Sequence, residues 1–518
     1  MSKLNATGAH ALTGTLKSAG IQRIFTLSGN HIMPIFDAAL DDGIELIHVR
    51  HEAAAVHMAD AWARLTGEVG VAMVTGGPGH ANAVGALYTA AMAESPVMLL
   101  SGHAPRRELG MGAFQEMAQG DIAAPLAKAS WTNKGGDLLA SDMRRALAIA
   151  KGGRPGPVHV SLPSDCLEAK VQAERDAPFD SSPPAPDYDA LAIVEQLRAA
   201  RRPLVLTGPV TLTKFGRARI AALEAALGIP VVGMESPRGT NDPALGAFAQ
   251  VLAQSDLVLL LGKRLDFTLK FGKPPAFAAD CRIVEIAVDR DAFAAIDALI
   301  DAAHSPVRSS WLSEVRGAIA YRPDAWNHAT SATPGRMHPV QALRPLQSIL
   351  DSHPDSVFIS DGGEIGQWAQ ACLRAPNRVI NGVAGSIGAA LPFAVAARIA
   401  KPGVPIVAVM GDGTFGFHPA EIDTAVRYGL SFVAVIGNDA RWNAEYQIQL
   451  REYGLGRTVG TELIPARYDR VAEGFGGYGE LVTDPAQVLA AAQRAMASKL
   501  PAVLNVMIEG VAAPVVKR

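Results

Sequence analysis

Two acidic side chains, Asp412 and Asp439, stand 27 positions apart, each just beyond an apolar run. Gly411-Asp412-Gly413-Thr414-Phe415 follows residues 406–410, and Gly437-Asn438-Asp439 follows residues 432–436. Both runs are rich in Val and Ile, the pattern of strands buried on both faces of a parallel sheet. Residues 419–427 between them have helical spacing, and Tyr428-Gly429 supplies the stop. The spacing therefore predicts one β-α-β unit with Asp412 and Asp439 at the carboxyl ends of its strands. Ligands bind at that edge of open α/β sheets. The glycines let backbone approach a phosphate, and the acidic and amide ends can hold a hard cation bridging it.

Three more segments pair a strand end with polar or small residues. Arg50-His51-Glu52-Ala53 places an acid in the first turn of a helix, where the macrodipole favours it. Thr75-Gly76-Gly77-Pro78-Gly79-His80-Ala81-Asn82 is a glycine-rich strand-to-helix turn, which packing alone could also require. Gly385-Ser386-Ile387-Gly388 opens a small-residue helix, and Asp361-Gly362-Gly363-Glu364 follows a further strand.

Taken together, Gly-Asp-Gly and Asn-Asp at this spacing resemble the thiamine diphosphate (ThDP) binding motif. The resemblance implies that Gly411, Asp412, Gly413, Thr414, Asn438, Asp439 and Trp442 form the diphosphate end, with Mg²⁺ at Asp412, Asp439 and Arg441. Gly362 and Gly363 would reach the diphosphate, and Gly76, Pro78, Gly79 and Asn82 would lie against the pyrimidine. Ile387, flanked by Gly385 and Ser386, would wedge the two rings of the cofactor into a V. Glu52 would touch the aminopyrimidine and stabilise the imino tautomer, whose nitrogen takes the proton from the thiazolium carbon. Gly153-Arg154-Pro155-Gly156-Pro157 adds another family hallmark, so the resemblance spans nearly the whole chain. It implies an α/β protein of three doubly wound parallel-sheet domains: a pyrimidine-binding domain over 1–170, a middle domain over 188–320 and a diphosphate-binding domain over 338–518. In such enzymes the cofactor lies between subunits, so a homodimer or homotetramer follows.

The branch is read from fewer residues. Ser28-Gly29-Asn30-His31 resembles the Gly-Ala-His of benzaldehyde lyase, which implies that His31 relays a proton at the substrate; a helix-capping histidine is the other reading. Gly112-Ala113-Phe114-Gln115-Glu116 resembles acetolactate synthases and 2-hydroxyacyl-CoA lyases, which implies that Gln115 reaches toward the thiazolium; a structural glutamine is its alternative. The middle-domain stretch 262–275 is similar to that of 2-hydroxyacyl-CoA lyases and oxalyl-CoA decarboxylases, with Arg264 and Lys270 able to hold a nucleotide. FAD or ADP there is left open. Only residues 508–518 follow the last strand-like run, less than acyl-CoA-acting relatives carry. The expected activity is thus a ThDP- and Mg²⁺-dependent carbon–carbon lyase or carboligase acting on 2-keto acids, 2-hydroxy ketones or aldehydes. A 2-hydroxyacyl-CoA lyase or oxalyl-CoA-type decarboxylase is the alternative, and a non-catalytic ThDP-binding paralogue a remote one.

The elements that must position these residues are legible in the same way. At 518 residues the chain needs about three cores. Its 49% hydrophobic and 19% charged content is that of a well-buried globular protein. A net charge of −3 argues against nucleic acid or an anionic membrane surface as partner, and the resemblance implies a small-molecule carbonyl substrate. The first five residues lack a signal-peptide core, and Cys166, Cys281 and Cys372 have no metal or disulfide spacing, so a cytoplasmic location is expected. Strand-like runs at 23–27, 46–49, 69–74, 97–100 and 158–161 alternate with helical stretches such as 53–65. A second block begins at 203–208 and continues through 229–232, 257–261 and 283–288. A Pro/Ser-rich linker is expected at 178–186 and a polar one at 321–339. The first and third domains look like two copies of one architecture.

Overall fold

The computed structural model describes residues 6–171, 187–307 and 309–518; the Pro/Ser-rich stretch 178–186 lies outside them. Three parallel sheets alternate with helices. The first contains β1 (Arg23–Thr26), β2 (Glu45–His48), β3 (Gly70–Val74), β4 (Val97–His103), β5 (Ala129–Thr132) and β6 (Val158–Pro163), in the order β2-β1-β3-β4-β6-β5. The second contains β7 (Pro203–Thr207), β8 (Val231–Gly233), β9 (Leu257–Leu261) and β10 (Arg282–Ile286), in the order β10-β9-β7-β8. The third contains β11 (Val357–Ser360), β12 (Asn377–Ile380), β13 (Ile406–Gly411), β14 (Phe432–Asn438), β15 (Tyr478–Val482) and β16 (Pro501–Met507), in the order β12-β11-β13-β14-β16-β15. The first and third sheets share one strand order, so the two are built alike.

Central strands such as β9 and β13 are buried along almost their whole length, which is why they read as unbroken apolar runs. Helices cover both faces. Around the third sheet, Leu343, Leu350, Phe358 and Val407 pack with Val435 and Leu504 into one core. The first sheet has its own core, with Leu12, Ile24, Ile35 and Val160 among its fully buried members.

The chain forms two compact units, one up to residue 185 and one from 186 onward. The second and third sheets therefore share a unit, and polar contacts between them show why. Arg378 on β12 pairs with Glu235 at 3.1 Å, and Arg322 donates to the carbonyls of Ala244 and Ala371. Lys214 pairs with Asp355 at 2.5 Å. All three cysteines are free thiols. Among the described residues no helix is long and apolar enough to cross a membrane.

Candidate active site

The third sheet opens a cavity of about 200 Å³ at the carboxyl ends of β11, β13 and β14. Asp412 begins a one-turn helix directly after β13 and is 2% exposed; Asp439 follows β14 and is 8% exposed. β13 and β14 pair in register up to Gly411 and Gly437, so the two carboxylates emerge from adjacent strand ends, Asp439 one residue beyond the level of Asp412. Both carboxyls are held above the ordinary range, Asp412 at about 6 and Asp439 at about 7. Burial is the main cause in each; for Asp439 the neighbouring Asp412 adds to it, and the Arg441 N–H, donating to Asp439 Oδ1 at 3.1 Å, offsets part.

Asp412 Oδ2 is buried with no hydrogen-bond donor. A buried carboxylate oxygen without a donor is costly unless a cation or proton meets it. Among the described residues no third His, Cys, Asp or Glu joins the pair to complete a metal cluster. A hard divalent cation here would need further oxygen ligands, and a diphosphate brings them. The cavity of about 200 Å³ leaves room for one, above glycine backbone on which the lining side chains pack directly. A Cβ on Gly413 would lie 2.7 Å from the Trp442 ring, and one on Gly362 would lie 2.6 Å from Ile387 Cγ2. The donor chemistry and the glycine cradle thus fit a metal-bridged diphosphate.

The loop beyond Asp439 is locked in place. Ala440 takes a left-handed conformation (φ +60°), and Leu463 donates to its carbonyl at 2.7 Å. Arg441 stacks its guanidinium 4.1 Å over the Tyr446 ring, and Trp442 donates to Thr461 at 2.8 Å. Gly362, Gly363, Gly385, Ile387, Gly411, Thr414, Arg441 and Trp442 line the cavity together with the two aspartates. Asn438 is not among them. Its amide donates to Ala466 and Asn505, and its Oδ1 accepts from the Ala440 N–H, so it holds the strand end and the loop together. Ser386 also stays outside the lining; its carbonyl accepts from Asn381 at 3.0 Å.

In the first unit a second constellation forms. Glu52 opens the helix Glu52–Thr66 and accepts from Asn82 Nδ2 at 3.1 Å. Its other oxygen lies 3.5 Å from where a Cβ on Gly79 would stand. Gly76, Gly77 and Pro78 turn the chain from β3 into the helix Pro78–Met92. His31, 4% exposed, places Nδ1 3.4 Å from Thr75 Oγ1, and burial lowers its pKa, favouring the neutral ring. Gln115 has φ +57°, and its backbone closes on the turn only because Gly77 has no side chain. Glu116 fixes that loop by accepting from Gly110, Gly112 and Ala113.

Comparison with known proteins decides the family. The description "thiamine pyrophosphate enzyme" matches the chain three times: an N-terminal TPP binding domain over 6–123, a central domain over 191–303 and a C-terminal TPP binding domain over 361–506. The chain belongs to the thiamine pyrophosphate enzyme family. An acetolactate synthase large subunit of Mycobacterium tuberculosis is 32% identical to it, over 95% of this chain and 94% of that protein. The 2-hydroxyacyl-CoA lyase 2 of Bos taurus is 31% identical over 97% and 90%. An acetolactate synthase large subunit of Parasynechococcus marenigrum is 30% identical over 96% and 87%. The chain is a ThDP-family enzyme, and its two terminal domains are ThDP-binding domains.

Two residues of this ThDP fold escape a reading by motif. Gln119, 1% exposed, accepts from the Gly77 N–H at 2.8 Å and donates to Gly102 O and Ser161 Oγ, tying the turn after β3 to β4 and β6. Asp361, directly before the two glycines expected at the diphosphate, is fully buried and accepts from the N–H groups of Gly362, Gly388 and Ala390. It caps the helix Ala390–Ala400 and so holds the Ile387 loop. The Gln119 contact to Gly77 spans 42 positions and the Asp361 contact to Gly388 spans 27, and no local sequence signal marks either.

Proposed function

We propose that this chain is a ThDP- and Mg²⁺-dependent carbon–carbon lyase or carboligase for 2-keto acids, 2-hydroxy ketones or aldehydes. The observation that carries the reading is the Asp412–Asp439 pair, with one carboxylate oxygen undonated, over a glycine-lined cavity. Asp412 and Asp439 would bind Mg²⁺ through their carboxylates. Any role for Arg441 falls to its backbone carbonyl, because a guanidinium offers no lone pair. ThDP, when bound, supplies an acidic thiazolium carbon and an electron sink for breaking or making the bond beside a carbonyl. Glu52 would hold a proton against the aminopyrimidine, and Asn82 keeps that carboxylate aimed. Ile387, fixed by the Asp361 cap, would set the angle between the rings.

His31, whose burial favours the neutral ring, can move a proton to or from a substrate hydroxyl, and Gln115 can hydrogen-bond a developing alkoxide. The aimed carboxylate of Glu52 weighs against a non-catalytic ThDP binder, which needs no such group. The domains are read as 1–170 for the pyrimidine end, 188–320 for the middle and 338–518 for the diphosphate end. We read the working form as a homo-oligomer, a dimer or tetramer, in which two copies complete each site. A second reading, a 2-hydroxyacyl-CoA lyase, is favoured by the relative of that name at 31% identity. Titration of ThDP at fixed Mg²⁺, followed by product screening with pyruvate, benzoin-type ketones, aldehydes and 2-hydroxyacyl-CoA, separates the two. Failure to take up ThDP in the presence of Mg²⁺ would overturn both.

A further inference from the structure

One wall of the cavity comes from a different sheet. Pro237 and Arg238, on the segment that follows β8, line it together with Glu364 and Ile387 of the third domain. The segment is firmly seated. Glu235 and Asp242, both nearly buried, face Arg378 at 3.1 and 3.9 Å, and a Cβ on Gly239 (φ +56°) would meet Thr268 O. A rigid backbone therefore delivers the Arg238 side chain to the cavity.

The Arg238 side chain makes one hydrogen-bonded ion pair among the described residues, Nη2 to Glu364 Oε2 at 3.2 Å. The Arg238 side chain is 45% exposed while that of Glu364 is 9% exposed. A half-exposed ion pair of this kind contributes little, and it leaves most of the five N–H donors unused. Glu364 does not depend on it alone. Burial pushes that carboxyl toward its neutral form, the Ala513 N–H also donates to it, and Glu445 and Arg451 face it with opposite effect. The pair lines the same cavity as Ile387, and a Cβ on Gly385, two residues before Ile387, would lie 4.0 Å from Cβ of Pro237, the neighbour of Arg238. It is separate from Asp412 and Asp439, which occupy the ends of β13 and β14.

We propose that Arg238 is a specificity-determining residue that exchanges Glu364 for the carboxylate of an incoming 2-keto acid. The inference rests on the ThDP reading of this cavity. A planar guanidinium presents a fork that matches a carboxylate, and the exchange replaces a one-point contact by a two-point one. Glu364 acts as a stand-in anion: it keeps the arginine aimed when substrate is absent and sets a threshold that a neutral donor has no means to displace.

The opposing sign of two variants separates this role from a staple between domains. Pyruvate and its neutral isostere pyruvamide are titrated calorimetrically into the protein loaded with Mg²⁺ and ThDP. The native protein should bind pyruvate more tightly than pyruvamide. Arg238→Gln should weaken pyruvate roughly ten- to hundredfold and leave pyruvamide unchanged. Arg238→Lys should recover part of the loss. Glu364→Gln, which keeps an acceptor for Ala513 but removes the competing charge, should tighten pyruvate a few-fold, by about as much as a weak surface ion pair is worth. Equal affinity of the native protein for pyruvate and pyruvamide overturns the proposal, as does weaker pyruvate binding in Glu364→Gln, the mark of a structural pair. A loss of ThDP affinity in Arg238→Gln also overturns it, assigning the arginine to the diphosphate. Absence of ThDP uptake by the native protein refutes the cofactor reading instead, and discrimination between the two probes is then read on the bare protein.

Discussion

Replacing Asp439 by an asparagine tests the electrostatics of the cavity without changing its shape. Burial holds both carboxyls above their ordinary range and the neighbouring Asp412 raises Asp439 further, which leaves Asp439 at about 7 and Asp412 at about 6. A carboxyl held above its unfolded value, about 3.9 for aspartate, contributes stability that is present below about pH 4. That stability is lost as the pH rises through the folded value. The unliganded native protein should therefore lose stability between about pH 4 and 7. Moving one carboxyl from its unfolded value to about 7 corresponds to roughly 4 kcal/mol, an upper bound because the amide still has to be buried. The amide introduced by Asp439→Asn keeps an oxygen for the Arg441 N–H and relieves Asp412 of its charged neighbour. Unliganded Asp439→Asn should thus be more stable than native by about 1–3 kcal/mol above about pH 8 and indistinguishable near about pH 4. Thermal melting across pH reads this as a shift of a few degrees that grows with pH. The proposed Mg²⁺ role predicts a difference between the loaded proteins as well: an ion held by this pair would displace protons from it, so its affinity should fall below about pH 7 more steeply in native than in Asp439→Asn. A stability difference that does not change with pH would refute the reasoning.

Other perturbations separate binding from chemistry. Asp412→Ala should lose ThDP affinity while leaving the fold intact, measured by titrating ThDP at fixed Mg²⁺; wild-type affinity would remove its metal role. His31→Ala and Gln115→Ala should bind ThDP normally and turn over about 10²-fold more slowly, the usual loss for one donor at a developing charge. Unchanged turnover would return either residue to a structural role. Gln119→Met should leave the Gly77 N–H and Gly102 carbonyl unpaired and cost roughly 1–3 kcal/mol, read as a lower melting temperature together with weaker ThDP binding.

Much of this arrangement was legible because parallel strands at the centre of a sheet must be apolar on both faces. β9, β13 and β14 show as uninterrupted runs, the turns after β3 and β13 show as glycine clusters, and the end of β14 shows as Gly-Asn-Asp. Three strands left no such trace: β5, β12 and β15. Each is an edge strand of a six-stranded sheet. β5 is half-buried throughout, with the sequence Ala-Ser-Trp-Thr, and β15 carries Gly and Glu within its short span, so neither period nor hydrophobicity marks them. The site divides in the same way. Glu52, Asp412 and Asp439 sit beside strand ends within local motifs. Gln119, Asp361 and Arg238 act on groups far away in sequence, and only the packed sheets bring them there. Asn438 sits within the motif yet faces the other way, because its amide is taken by Asn505 and Ala466.

The central claim is that this chain activates ThDP through Glu52. Proton exchange at the thiazolium carbon of bound ThDP, followed by NMR after transfer into deuterated water, tests it most directly. The native protein with Mg²⁺ should exchange that proton faster than free ThDP does. Glu52→Gln, which keeps the size and a hydrogen bond to Asn82, should bind the cofactor and slow the exchange by orders of magnitude. Equal exchange rates in the two proteins, with ThDP bound to both, would contradict the account.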